Sequence, residues 1–258
     1  MNSGTVVLTL SYDGSGFAGF ARQPEVPTVQ GAVEAALATV LRREVTTVGA
    51  GRTDAGVHAL GQVVSFEADG SEPEGGALLR SLNALVGEGI VVTGVREAPT
   101  GFSARHSAVG REYRYRLVPG PVPPLFLAGS AWWVKGTLDL RAMRRAAESL
   151  VGEHDFRSFC VTASAEGIRT HRRLDVVDIA PAVEMGEHAI VVRVTGNAFL
   201  HSMVRVIVGS LVEVGLGRRP AEWIAEVLSA RDRAAAGPTA PAHGLTLWHV
   251  SYPEECCL

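Results

Sequence analysis

Apolar residues recur along this chain with two periods, and the period in force at each point predicts the element. Val6-Val7-Leu8-Thr9-Leu10-Ser11-Tyr12 reads as a strand, closed by the turn Asp13-Gly14-Ser15-Gly16. Phe17 to Gln23 is an aromatic, glycine-punctuated loop, either a ligand surface or a segment folded under the sheet. Pro27-Thr28 predicts a helix start with Thr28 as N-cap, because Val29, Val33, Leu37, Val40 and Leu41 then share one face. A strand over Gly61–Glu67, a helix marked by Leu78, Leu82 and Leu85, and a strand from Ile90 to Val95 follow.

The second half continues the alternation at greater length. Arg111 to Leu117 and Trp132-Trp133-Val134 read as strands around the proline-rich loop Pro119 to Pro124. Asp139 caps a helix built on Leu140, Met143, Ala147, Leu150 and Val151, with Gly152 as its stop. Val176–Ile179 and Ile190–Val194 pair as a hairpin. Asn197 is placed to cap a long helix from Ala198 to Val214, and Pro220 to open a short one with Trp223, Ile224, Val227 and Leu228. Leu245 to Val250 is a last strand. Strands and helices mix, and some strands are consecutive, so the class is α+β rather than doubly wound. Two sheet-plus-helix halves, 1–100 and 101–258, meet near residues 98–108.

Composition narrows the class without fixing it. A chain of 258 residues, 47% hydrophobic, can bury one large core or two smaller ones. No apolar run approaches the ~20 residues that span a bilayer, and Met1-Asn2-Ser3-Gly4-Thr5 lacks a signal-like core, so a cytoplasmic protein is expected. Cys160, Cys256 and Cys257 form neither a disulfide framework nor a zinc spacing. The net charge of −3 argues mildly against nucleic acid. Yet every basic residue except Lys135 is arginine, which is either a GC-rich genome or a supply of planar forks for phosphates and bases.

Four stretches carry candidate chemistry. The first is Gly49-Ala50-Gly51-Arg52-Thr53-Asp54-Ala55-Gly56-Val57-His58, a pliable loop presenting Arg52 and Asp54, which point the same way if the segment is extended. Its plain alternative is a glycine turn with Asp54 capping an N–H. The second runs from Phe102-Ser103-Ala104-Arg105-His106 to Arg116-Leu117. There Tyr113, Tyr115 and Leu117 alternate with Glu112, Arg114 and Arg116, as in a strand that stacks bases at ~1–3 kcal/mol each, or an ordinary half-exposed strand. In the third, Phe199, Met203, Val206, Ile207 and Leu211 are core at helical spacing, and His201 and Arg205 are i, i+4 neighbours on the surface. A partly buried Arg205 needs an anion. The fourth, Ala242-His243-Gly244-Leu245, is a turn into the last strand, with a plain buried strand as the alternative.

Taken together, these runs, with Ser11-Tyr12-Asp13-Gly14, Tyr113-Arg114-Tyr115, Asn197 to Arg205 and Gly244-Leu245-Thr246-Leu247, resemble the tRNA pseudouridine synthase A family over essentially the whole chain. Phe20 stands where many members have tryptophan. The resemblance implies an isomerase that converts uridine to pseudouridine at positions 38, 39 and 40 of the tRNA anticodon stem-loop. It implies a homodimer, no metal or organic cofactor, and two ferredoxin-like halves forming a pseudouridine synthase fold with a central cleft. Carried over by motif, Asp54 is the nucleophile, Arg205 its counter-ion, and Tyr113 the group that takes the C5 proton. Leu245 is an apolar floor under the uracil, and Arg52 holds the nucleotide out of its stack. Phe102, Ser103, Ala104, Arg105, His106 and Arg169 line the RNA. Rival readings are a non-catalytic RNA-binding module, a glycoside or nucleoside hydrolase using Glu67 or Asp69 as a second carboxylate, and a zinc site from Cys160, His154 and His171.

Overall fold

The computed structural model describes residues 4–162 and 167–256; Cys257 and the N-terminal Met1 to Ser3 lie outside the described residues. By contacts the chain divides into two compact units, one formed by Met1–Arg111 with Leu247–Leu258 and the other by Glu112–Thr246.

In the first unit β1 (Thr5–Tyr12) is the central strand. It pairs antiparallel with β3 (His58–Glu67), Thr5 opposite Glu67. On its other edge it pairs antiparallel with β4 (Ile90–Ala98), Thr5 opposite Ala98. The short β2 (Val48–Gly49) adds to β3. Val6, Val7, Leu8, Leu10 and Tyr12 are all buried, and both edges of β1 are paired. The helix α1 (Val29–Leu41) starts where Thr28 accepts the Gly31 N–H, and buries Val29, Val33, Leu37 and Leu41. The helix α2 (Gly75–Leu85) buries Leu78 and Leu82. The predicted alternation of strands and helices is therefore present in this unit.

The second unit is built on the order β5-β9-β8-β7. Its first strand β5 (Gly110–Gly120) is joined in parallel by β6 (Trp132–Lys135), and β7 (Gly152–Asp155) is the outer strand. β8 (His171–Glu184) and β9 (Glu187–Gly196) form the expected hairpin. They turn at Met185 and Gly186, both at positive φ, which suits the twist of a two-residue hairpin loop. The helices are α3 (Leu140–Glu148), α4 (Met203–Gly215) and α5 (Trp223–Ala230). Asp139 caps α3 as expected, accepting the Ala142 N–H at 2.9 Å. The chain ends on β10 (Leu245–Ser251), whose Leu247–Ser251 part belongs to the first unit, beside β3.

Three expectations are corrected. Gly152 does not stop α3, which closes at Ser149; it opens β7, opposite Leu174. Asn197 does not cap a helix: its Oδ1 accepts the N–H groups of Arg173 and Ala198, pinning a turn against β8. The helix begins six residues later, after Ser202 in the left-handed region (φ 57°), so His201 precedes α4 and is not on its surface. Among the described residues no helix is long and apolar enough to cross a membrane, and no group of three or more His, Cys, Asp or Glu is arranged to hold a metal.

Candidate functional site

In the first unit the Asp54 loop is fastened from three sides. On entry, the buried Glu34 carboxylate of α1 accepts both the N–H and the hydroxyl of Thr47 at 2.9 Å, fixing the chain just before β2. Gly49 lies against the ring of Phe20, and a Cβ there would occupy the ring's edge. Ala50 donates to Val63 at 2.8 Å, and the Gln62 amide donates to the Gly51 carbonyl at 2.9 Å.

The middle of the loop alternates as an extended segment does. Arg52 is exposed, Thr53 buried and Asp54 half-buried. Thr53 points inward, where its hydroxyl lies 2.8 Å from that of Tyr12; its carbonyl accepts from Phe20 at 3.1 Å. Anchoring Thr53 inward turns its neighbours Arg52 and Asp54 outward. Burial pushes the Tyr12 hydroxyl up to about 12, against the opposing bonds to Thr53 and Gln62. On exit, Val57 donates to the Asp54 carbonyl at 3.1 Å, with Gly56 at φ 77° inside that turn. His58 Nδ1 accepts the Gly14 N–H at 3.1 Å, in reach of Asp13.

The same unit holds the second predicted stretch up to Arg111. Phe102 is half-buried with its ring 5.2 Å from that of Tyr252. Ser103 sits in a tight turn, accepting the Ser107 N–H on its carbonyl. Ala104 is fully buried; its N–H goes to the Ser65 hydroxyl and its carbonyl accepts from Tyr252. Its place in the stretch is thus an anchor, not a contact surface, whereas Arg105 and His106 beside it are exposed.

In the second unit, Tyr113, Tyr115 and Leu117 of β5 face the core together, as their alternation predicts. Tyr113 meets the edge of Phe199 at 5.0 Å. The intervening Arg114 and Arg116 pair with Glu112 and Glu184, each at 2.7 Å. That favours the ordinary half-exposed strand over a row of cations open to phosphates. Arg205 of α4 is half-buried; its Nε donates to the Ala240 carbonyl at 2.8 Å while Ala240 donates back to the Arg205 carbonyl at 3.1 Å. Tyr115 donates to the next carbonyl, Pro241. Burial drives its hydroxyl well above the usual range, and the Arg205 charge pulls it partly back. Leu245 is buried at the start of β10. Arg169 is exposed and lies 3.1 Å from Glu153.

The residues that shape the Asp54 loop, namely Tyr12, Phe20, Gln62 and Glu34, were given no role by the motif reading. The signals were that Tyr12 lies in the Ser11-Tyr12-Asp13-Gly14 run that closes β1 and Phe20 in the aromatic loop after it, with no role attached to either. For the hydrolase reading, Asp69 is a poor acid. The Ser71 hydroxyl and N–H, with Arg43, hold its carboxyl below the ordinary range, the reverse of what a proton donor needs.

Comparison with known proteins bears on the family of the chain. Residues 9–83 and 146–253 match the family model described as tRNA pseudouridine synthase. A protein of Burkholderia cenocepacia named tRNA pseudouridine synthase A is 45% identical over 250 residues, covering 97% of this chain and 90% of its own. One of the same name from Frankia casuarinae is 46% identical over 252 residues, with 96% and 89% covered. A third, from Brevibacillus brevis, is 44% identical over 245 residues, with 94% and 97% covered. With identity of that order running almost end to end, the chain belongs to the tRNA pseudouridine synthase family.

Proposed function

We propose that this chain is an isomerase that converts uridine to pseudouridine in the anticodon stem-loop of tRNA, at positions 38, 39 and 40. The observation that carries the reading is the near end-to-end identity to relatives named tRNA pseudouridine synthase A. The net chemistry is an isomerisation. The N1–C1′ bond breaks, the uracil turns, C5 bonds to C1′, and the proton leaves C5 as N1 gains one.

Asp54 is the nucleophile in this reading, since a carboxylate adduct divides a difficult exchange into two easier steps. Its support is a half-buried carboxylate in a loop whose neighbours on both sides are fixed, which is what a positioned nucleophile requires. Arg205 is its counter-ion in this reading, and Tyr113 accepts the C5 proton, directly or through water. Leu245 is the apolar surface for the ring. Arg52, exposed beside Asp54, holds the flipped nucleotide. Arg105, His106 and Arg169 grip the backbone from the segment that Phe102, Ser103 and Ala104 anchor and from the loop before β8. The Arg169–Glu153 pair is exposed on both sides, worth about 0–1 kcal/mol, so a phosphate can replace the carboxylate.

Two finer points belong to the same proposal. The chain acts where tRNA is, in the cytoplasm. It also works as a homodimer, in support of which Leu125, Phe126, Val183 and Met185 stand exposed in the second unit. The backbone of the first two is held: the Glu187 carboxylate accepts the N–H groups of Leu125, Phe126 and Leu127. Phe126→Glu should weaken self-association by on the order of tenfold or more, read as molar mass by light scattering across a dilution series. A mass that is monomeric in the parent protein would dispose of the dimer.

The decisive experiment is pseudouridine mapping in tRNA with Asp54→Ala. Turnover should fall by at least about a thousandfold while tRNA affinity changes little. Retained product would remove Asp54 from the nucleophile's role; free uracil among the parent protein's products would point to a hydrolase, and tRNA binding without product to a binding module.

A further inference from the structure

The guanidinium of Arg111 joins the segment that carries Asp54 to the segment that carries Arg105. Its Nη2 donates to the carbonyl of Ala50 at 2.9 Å and to the carbonyl of Arg105 at 3.0 Å. Its Nη1 donates to the carbonyl of Ala108 at 3.2 Å. All four residues belong to the first unit.

Each segment also has its own fastening. Ala50 is tied to Val63 of β3, and Ala104 to Ser65 of the same strand and to Tyr252. Arg111 adds a bond from one to the other. Arginine suits this place because its planar fork offers donors in fixed directions, whereas a lysine offers one ammonium on a flexible stem. A charged donor also makes stronger bonds than a neutral one, so carbonyls held by a guanidinium are not released readily.

We propose that Arg111 is a positioning residue that holds the Asp54 loop and the Arg105 segment in one register, so that gripping the RNA backbone and presenting the nucleophile are coupled through a single side chain. The proposal rests on the reading of Asp54 and Arg105 given above. Arg111 acts through the carbonyls it holds and touches no substrate atom. One side chain then governs both the rate at saturating tRNA and the affinity for tRNA.

The test is a double-substitution cycle of Arg111→Met and Arg105→Ala. It is read by the single-turnover rate of pseudouridine formation and by tRNA affinity across a salt series. Methionine keeps the stem and removes the donors. Arg111→Met should slow the saturated rate by on the order of tenfold or more and weaken binding about as much as Arg105→Ala does. In the parent protein, Arg105→Ala should lower the salt slope by about one phosphate contact. In the Arg111→Met protein it should leave the slope unchanged, because Arg105 has already lost its placement, and the double variant should bind no more weakly than the worse single one. A merely structural arginine would not move the salt slope. Multiplying effects, or a parent-like saturated rate in Arg111→Met, would overturn the proposal. Should Arg111→Met not fold, the same cycle with Arg111→Lys is judged on the same criterion. An Asp54→Ala protein that still made pseudouridine would remove the reading of the site itself; a multiplicative cycle alongside an inactive Asp54→Ala removes Arg111 alone.

Discussion

The Asp54 loop of the first unit and the start of α4 in the second unit both present charged side chains, but they are held by different physics. Around Asp54 the fastenings are directional. Tyr12 meets Thr53, Gln62 meets Gly51, and Val57 meets Asp54, all between 2.8 and 3.1 Å. Around Arg205 the fastening is mainly burial. Met203, Val204, Val206, Ile207 and Val208 are nearly inaccessible, and a reciprocal pair of bonds with Ala240 is added to that packing. Directional bonds contribute modestly to net stability, about 0.5–1.5 kcal/mol each, but they fix position. Burial contributes far more per side chain and fixes position only through packing. The difference implies that substitutions behind Asp54 act first on rate, whereas substitutions behind Arg205 act first on whether the unit is folded.

The sharpest way to break that contrast is at Ile207, whose apolar side chain is fully buried in α4. Ile207→Ala removes buried methyl groups and leaves a cavity, at a cost of ~2–5 kcal/mol. The expected outcome is a clearly lower urea midpoint, with the saturated rate at low temperature close to that of the parent protein. A stable protein with a collapsed rate would mean that α4 positions chemistry as finely as the Asp54 loop does, and the contrast would be lost.

How much of this was legible in the chain follows the same division between local and distant causes. Thr28 and Asp139 were readable as caps because a cap and the apolar face it precedes are neighbours in sequence. The tyrosines of β5 were readable because alternation is local. The start of α4 was not. Apolar residues continue at helical spacing through the turn at 197–202, so periodicity carries no mark of the left-handed Ser202 where the helix actually begins. The strand β7 was missed, and Gly152 misread as a stop, because Gly-Glu-His-Asp shows no alternation and exists as a strand only through its pairing with β8. Arg52 and Asp54 stood out as a motif. The residues that aim them, Tyr12, Phe20, Gln62 and Arg111, come from other parts of the first unit, and nothing near Asp54 in the chain announces them.

The smaller effect is expected at Tyr12, and it separates position from stability on the loop side. Tyr12→Phe deletes a hydroxyl that is buried against Thr53 and leaves the Thr53 hydroxyl without that partner, at about 1–3 kcal/mol. The rate should fall by more than the lost stability accounts for, because Thr53 is what turns Arg52 and Asp54 outward. The stability part has its own signature in pH. Burial raises the Tyr12 hydroxyl from 10.0 to about 12, so the fold favours the neutral phenol. Its contribution is fully present below pH 10 and drains away between pH 10 and about 12, as the unfolded chain ionises first. Tyr115 and Tyr252 are shifted in the same direction by burial, so the parent protein weakens in alkali for several reasons at once. The difference between parent and Tyr12→Phe isolates one of them. Urea midpoints of the two proteins should be separated by a constant amount from pH 7 to 10 and converge as the pH climbs toward 12. A gap that stays constant to pH 12 would show that the Tyr12 hydroxyl is not held neutral by the fold, and that Thr53 is aimed by something else.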